Sequence, residues 1–212
     1  MEQIEADIRE AYASGRFGAA GWRHLYSPVE TMDARFAIIG TNPGGGTADS
    51  PPPGEPTEWF ATRRHAIMHE PWKGHPPGKE CLQRQYKRLC ERFDEPVEDT
   101  LVFNLVPFRS VRLSALPNGA EALEIGARIA RATLDAAPNM ERVALNGLRV
   151  AEVLGIELRT YDTGWRNGRG GQYQMGRGCW RGMEVYAFPH LSRFTLFGRP
   201  ASQPYIDVML TS

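Results

Sequence analysis

A chain of 212 residues, 42% hydrophobic and 24% charged with a formal net charge of zero, has the composition of an ordinary globular protein and enough length for one large domain with a real core. No run approaches 18 apolar residues, and the opening MEQIEADIRE is acidic rather than a signal or transit sequence, so a membrane span is not expected. Three cysteines (Cys81, Cys90, Cys179), odd in number and without C-x-x-C spacing, argue against a disulfide framework, a zinc site and an iron–sulfur cluster, and fit a reducing, cytoplasmic setting.

Residues 2–14 have helix-forming composition and end near Ser14-Gly15. Phe36 to Ile39 is a short apolar run that leads into Gly40-Thr41-Asn42-Pro43 and three glycines. It reads as a strand buried on both faces that opens into a loop with a bare backbone. Residues 47–79 carry seven prolines, too many for regular structure throughout, with room for a short helix near Glu58–His69. Lys79 to Phe93 has apolar residues at helical spacing, and Leu101 to Phe108 is a second buried strand with Asn104 embedded and Pro107 closing it. Gly119 to Ala137 reads as a helix capped by Asn118 and stopped by Pro138. Glu141 to Asn146 is a third strand, followed by a short helix over Gly147 to Leu154. Gly164 to Gly182, with seven glycines and four arginines, reads as a hairpin or loop rather than a packed element. Met183 to Phe188 is a fourth strand ending at Pro189-His190, and Ser202 to Leu210 closes the chain as a helix. Strands alternating with helices predict an α/β fold: one domain over 1–212, a three-layer α/β/α sandwich around a central four-stranded parallel sheet.

The charge is unevenly distributed. Residues 1–100 are net −4 and residues 101–212 net +4; within 159–199 stand seven arginines against Asp162 and Glu184 alone. Forked guanidinium donors suit phosphate, and a solvated face is the alternative.

In an open α/β sheet, ligands sit outside the carboxyl ends of the strands. Asn42, Asn104 and His190 each lie at or just after such an end. Singly, they read as a turn residue, a satisfied buried amide and a loop histidine. Together they offer a donor–acceptor amide for the edge of a base and an imidazole for a developing anion.

The set resembles the uracil-DNA glycosylase superfamily. GTNPG (Gly40 to Gly44) is similar to its first motif in the Gly-x-Asn-Pro-Gly form of the mismatch-specific and single-strand-selective branches. LVFNLVPF (Leu101 to Phe108) resembles the strand with the base-reading asparagine, and PHLSRF (Pro189 to Phe194) the His-Pro-Ser motif, with Leu191 in place of proline. The resemblance implies a DNA glycosylase with no cofactor, acting as a monomer on DNA with an extruded pyrimidine and leaving an abasic site, in repair or in defence against modified phage DNA. Asn104 would read the pairing edge of the base, His190 would donate to O2 of the leaving pyrimidine, and Asn42 would position water. Backbone N–H groups from Thr41 to Gly45 would touch base or phosphate. Phe60, or else Trp59, would stack on the base, Ser192 would contact a phosphate, and Arg193, Phe194, Leu196 and Phe197 would fill the vacated stack. Relatives strict for uracil place a tyrosine after the motif's proline; here stands Gly44, which implies a pocket open to C5-modified pyrimidines.

Three other readings stay open. His65 and His69 are four apart, as a helical zinc pair would be, but lack an acidic third ligand. NPGGGTADS lacks the Lys-Ser/Thr of a phosphate-binding P-loop. A catalytically silent protein of glycosylase fold that binds DNA or a modified base is the third.

Overall fold

The computed structural model of the chain describes residues 1–45, 57–166 and 171–212. Gly46, the prolines at 51–53 and 56, and Arg169 lie outside the described residues. The fold is mixed α/β around a mostly parallel sheet. In chain order its elements are α1 (Glu2–Ala13), β1 (Trp22–Arg23), β2 (Phe36–Gly40), β3 (Glu58–Trp59), α2 (Ala66–His69), α3 (Cys81–Arg92) and β4 (Leu101–Asn104). There follow α4 (Gly119–Asp135), β5 (Arg142–Asn146), α5 (Leu148–Leu154), β6 (Arg159–Arg166), β7 (Gln172–Trp180), β8 (Met183–Phe188) and α6 (Gln203–Thr211).

The main sheet has six strands in the order β4-β2-β5-β8-β7-β6, not four. Neighbours are parallel from β4 through β8, and β7 and β6 continue the sheet antiparallel. The glycine- and arginine-rich stretch expected to stand apart from the packed elements is therefore part of the sheet. Glycine is what lets it pack: a Cβ on Gly178 would lie 2.3 Å from the Glu157 carbonyl oxygen, and one on Gly164 2.5 Å from the Tyr205 ring. β1 and β3 form a separate two-stranded parallel ribbon.

Alternation along the strands divides the core. Ala37, Ile39, Leu101, Phe103, Val143 and Leu145 join α1, α4 and α5 on one face, whereas Phe36, Ile38, Val102, Ala144, Tyr186 and Phe188 join α3 and α6 on the other. Each fully buried Ile or Phe contributes about 1.5–3 kcal/mol, and a strand such as β2, buried at every residue, belongs at the sheet's centre.

Local signals explain most boundaries. α3 begins at a capping box, with Leu82 N–H donating to the Glu80 carboxylate at 2.6 Å and Glu80 N–H to Gln83 Oε1 at 3.0 Å. Asn118 does not cap α4 with its side chain: it is left-handed (φ 49°), and its amide reaches instead to the Arg16 carbonyl at 2.8 Å. β4 stops at Asn104, four residues earlier than its apolar run, although Leu105 and Val106 still donate to the Gly40 and Thr41 carbonyls. α4 comes close to the segment after β4 because Gly126 has no side chain; a Cβ there would sit 2.6 Å from the Leu105 carbonyl oxygen. Among the described residues no helix is long and apolar enough to cross a membrane.

Under the β1 ribbon, His24 is fully buried between Phe60 and Phe103. The Thr133 hydroxyl donates to the Ile129 carbonyl, so it accepts from His24 Nε2 at 2.8 Å, which leaves Nδ1 deprotonated and without a partner. Burial lowers the His24 pKa to about 3. Between pH 6.5 and about 3 the unfolded chain binds a proton that the folded one refuses, so stability is full above pH 6.5 and falls as the pH drops. Urea titrations should therefore show a loss of about 2 kcal/mol between pH 7.5 and 5 from this residue, and His24→Gln should flatten that slope.

Candidate functional site

Because β4, β2, β5 and β8 are adjacent and parallel, their carboxyl ends share one edge of the sheet, and Asn42, Asn104 and His190 lie at or just beyond it. Backbone bonds tie the loops there. Leu105 N–H donates to the Gly40 carbonyl at 2.8 Å, Val106 N–H to Thr41 at 2.9 Å, and Ser110 N–H to Pro43 at 3.2 Å. The loop after β2 is thus zipped to the segment after β4.

Asn42 has a fixed orientation. Its Nδ2 faces three oxygens: the carbonyls of Pro43 (3.1 Å) and Ser110 (3.2 Å) and the Ser110 hydroxyl (3.1 Å), which itself donates to the Arg112 carbonyl. Reversing the amide would set Oδ1 against two carbonyls, so Oδ1 faces away as an acceptor. The side chain is half-buried.

Asn104, 7% exposed, points to the α3 side of the sheet, opposite to Phe103. Its amide lies near the Tyr26 hydroxyl, and its Oδ1 fills the space over Gly40, only 2.3 Å from where a Cβ would stand. Burial raises the Tyr26 pKa; Arg23 and Arg109 nearby oppose that, as does the Asn104 amide. Arg23 (3% exposed) lies 3.9 Å from the centre of the Tyr26 ring and 4.6 Å from that of Trp59, and its fork grips Glu70 at 2.7 and 2.9 Å. Trp72 donates to Glu70 at 3.2 Å and meets Tyr26 edge-on. Arg109, also 3% exposed, donates to the Gly44 carbonyl at 3.4 Å. Two buried guanidiniums, Arg23 paired with Glu70 and Arg109 bonded to the Gly44 carbonyl, therefore lie near Tyr26.

His190 is half-buried, its Nδ1 2.8 Å from the Ser192 hydroxyl. Burial lowers its pKa, and the charges of Arg193 and Lys73 lower it further against a backbone bond that raises it, so the ring is neutral at pH 7. The placement of Ser192 on the imidazole makes it a support for His190, beyond the phosphate contact expected of it.

Asn146, which sequence reasoning passed over, joins these parts. It is 3% exposed; its Oδ1 accepts from Leu191 N–H at 2.7 Å, its Nδ2 donates to the Tyr86 hydroxyl at 2.9 Å, and its carbonyl accepts from the Thr41 hydroxyl at 3.3 Å. The signal was a polar residue closing an apolar strand, the same signal that singled out Asn104. Ser110 and Arg109 sat in an apolar context without such a pattern, and Tyr26 and Arg23 in a stretch without periodicity.

The remaining expected residues fall into two groups. Gly44 is exposed, and among the described residues a Cβ there would meet nothing within 4 Å. Arg193 is exposed beside His190. By contrast, the Phe60 ring packs 5.6 Å from His24 in the core cluster of the other sheet face, whereas Tyr26 and Trp72 are the aromatics on Asn104's side. Leu196 is not free to act as a wedge, since it is fully buried in the core, and Phe194 lies against Trp165 and Tyr173 of the hairpin. Of the arginines from 159 to 199, Arg166, Arg177 and Arg181 are paired with Asp162, Glu184 and Asp135, and Arg199 stacks on Trp165, which reduces the cationic surface. His65 and His69 are engaged separately, with the Thr100 carbonyl and Glu98, and among the described residues no group of three His, Cys, Asp or Glu side chains could hold a metal ion.

Gly40→Ala should push the Asn104 amide aside at a cost of about 1–3 kcal/mol. The Asn104 side-chain NH2 resonances should move in a heteronuclear NMR spectrum while the fold persists; unmoved resonances would show that the amide does not depend on Gly40. The chain matches no model of a known protein family, and a search of curated proteins finds no match.

Proposed function

We propose that the protein is a monofunctional DNA glycosylase of the uracil-DNA glycosylase type, which extrudes a pyrimidine nucleotide and hydrolyses its N-glycosidic bond. In this reading the four parallel strands are the centre of that superfamily's α/β/α sandwich, and the β6–β7 hairpin extends it. The observation that carries the proposal is the orientation of Asn42: three acceptors hold its Nδ2, and Oδ1 is left as an acceptor at the edge shared with Asn104 and His190.

Such chemistry requires little of the protein beyond placement and charge. As the C1′–N1 bond breaks, its electron pair stays with the base, and the sugar becomes an oxocarbenium ion. Water adds to C1′ and releases a proton to solvent, since an amide is no general base. Asn42 Oδ1 accepts a hydrogen bond from that water and aims its lone pair. Asn104, beside the Tyr26 hydroxyl, holds the pairing edge of the base. Neutral His190, supported by Ser192, donates to O2 as negative charge develops there. Tyr26 and Trp72 replace Phe60 as the aromatic wall. Exposed Arg193, close to His190, suits a phosphate flanking the extruded nucleotide.

The space around Gly44, open among the described residues, supports admission of C5-substituted pyrimidines. The test is excision from duplexes carrying uracil, hydroxymethyluracil or modified cytosines, read as alkali-labile sites. His190→Ala should reduce turnover about 10²–10³-fold while sparing DNA binding. Unchanged excision would reject the role given to His190, and binding without excision in the wild type would favour the catalytically silent alternative. Gly44→Tyr should reduce excision of the C5-substituted bases far more than that of uracil. An equal effect on both would place the C5 side of the base elsewhere.

A further inference from the structure

We infer that Tyr86, on α3, is a further base-contacting residue, whose hydroxyl donates a hydrogen bond to an acceptor atom of the extruded pyrimidine; this rests on the base-pocket reading above. The inference follows from hydrogen-bond accounting. Asn146 Oδ1 accepts from the Leu191 N–H at 2.7 Å, which fixes the amide so that Nδ2 faces Tyr86 at 2.9 Å. Tyr86 is therefore the acceptor in that bond, and its own hydroxyl hydrogen is not used there. No acceptor among the described residues takes it, although the residue is only 4% exposed. A buried donor left over in this way is unfavourable unless something supplies an acceptor.

The position of that donor gives it meaning. Across the sheet edge the order is Asn104, Gly40, Asn146, and the Tyr86 hydroxyl stands over Gly40, 3.5 Å from where a Cβ would be, the same spot that Asn104 Oδ1 approaches to 2.3 Å. A base held by Asn104 lies beside this hydroxyl, and pyrimidines present acceptors along that edge. Burial raises the Tyr86 pKa, so the phenol stays protonated and serves as a donor at any working pH. Neither a core tyrosine nor a purely structural one requires an oriented acceptor partner that leaves its proton spare.

The test measures binding to duplexes carrying one non-hydrolysable 2′-fluoro-2′-deoxyuridine, and its 2-thio and 4-thio analogues, by the wild type and Tyr86→Phe. The variant should bind the oxo base about 3- to 10-fold more weakly. Against one thio analogue, a poor acceptor at the contacted position, that loss should shrink to under 2-fold and so identify the atom contacted. A loss equal for all three bases would mean a structural role, and no loss would mean no contact; either overturns the inference. If the variant does not fold, wild type labelled at tyrosine Cζ gives the answer, with the Tyr86 resonance shifting on addition of the fluorinated duplex if the contact forms and staying fixed if it does not. Failure to excise uracil, hydroxymethyluracil and modified cytosines alike, with the Tyr86 dependence of binding intact, would reject the glycosylase reading and leave this contact standing.

Discussion

The hydrogen bonds of Asn146 hold the candidate site together. One buried residue at the end of β5 accepts from the loop after β8, donates to Tyr86 on α3 and accepts from Thr41 on the loop after β2. Each partner belongs to a different segment, and each segment carries a residue of the site. Removing the amide would leave two buried donors or acceptors unsatisfied and free the His190 loop from the sheet. α3 reinforces the same loop from the other side, with Gln85 exchanging two bonds with the Phe197 backbone at 2.8 and 3.0 Å. The chemistry proposed depends on angles at Asn42, Asn104 and His190, and those angles are inherited from this framework.

A second constraint is the absence of side chains. Gly40 leaves room for Asn104 to lie across β2, Gly126 lets α4 approach the segment after β4, and a Cβ on Gly44 would meet no described atom within 4 Å. Each serves a different purpose, and only the last would bear on which base is accepted. The positive charge near Tyr26 is arranged with similar care: Arg23 is neutralised by Glu70 and stacked between Trp59 and Tyr26, which keeps a buried guanidinium tolerable.

Much of this was legible in the sequence because strand ends in α/β proteins are written plainly. Apolar runs ending in Asn or His located β2, β4 and β8, and alternation with helical patterns gave the parallel order. What escaped was of two kinds. Over Gly164 to Gly182 the sequence suggests a hairpin or loop but not a packed element, because glycine lowers strand propensity; the hairpin is there, and glycine permits its close approach to Glu157, Leu158 and Tyr205. Phe60 and Leu196 look ligand-facing because apolar side chains near a site look alike in sequence; only packing shows that Leu196 belongs to the core and that half-buried Phe60 packs against the core of the opposite sheet face. Tyr26, Arg23 and Tyr86 were invisible as site residues, since they reach the edge from outside the strand-end motifs and their roles rest on partners far away in the chain.

The most direct measurement is mass spectrometry of a duplex bearing a single uracil after incubation with the protein. Hydrolysis of the glycosidic bond predicts free uracil and an otherwise intact strand carrying one abasic site, both lost in His190→Ala. An unchanged strand across uracil and its C5-substituted analogues, with no base released, would contradict the account.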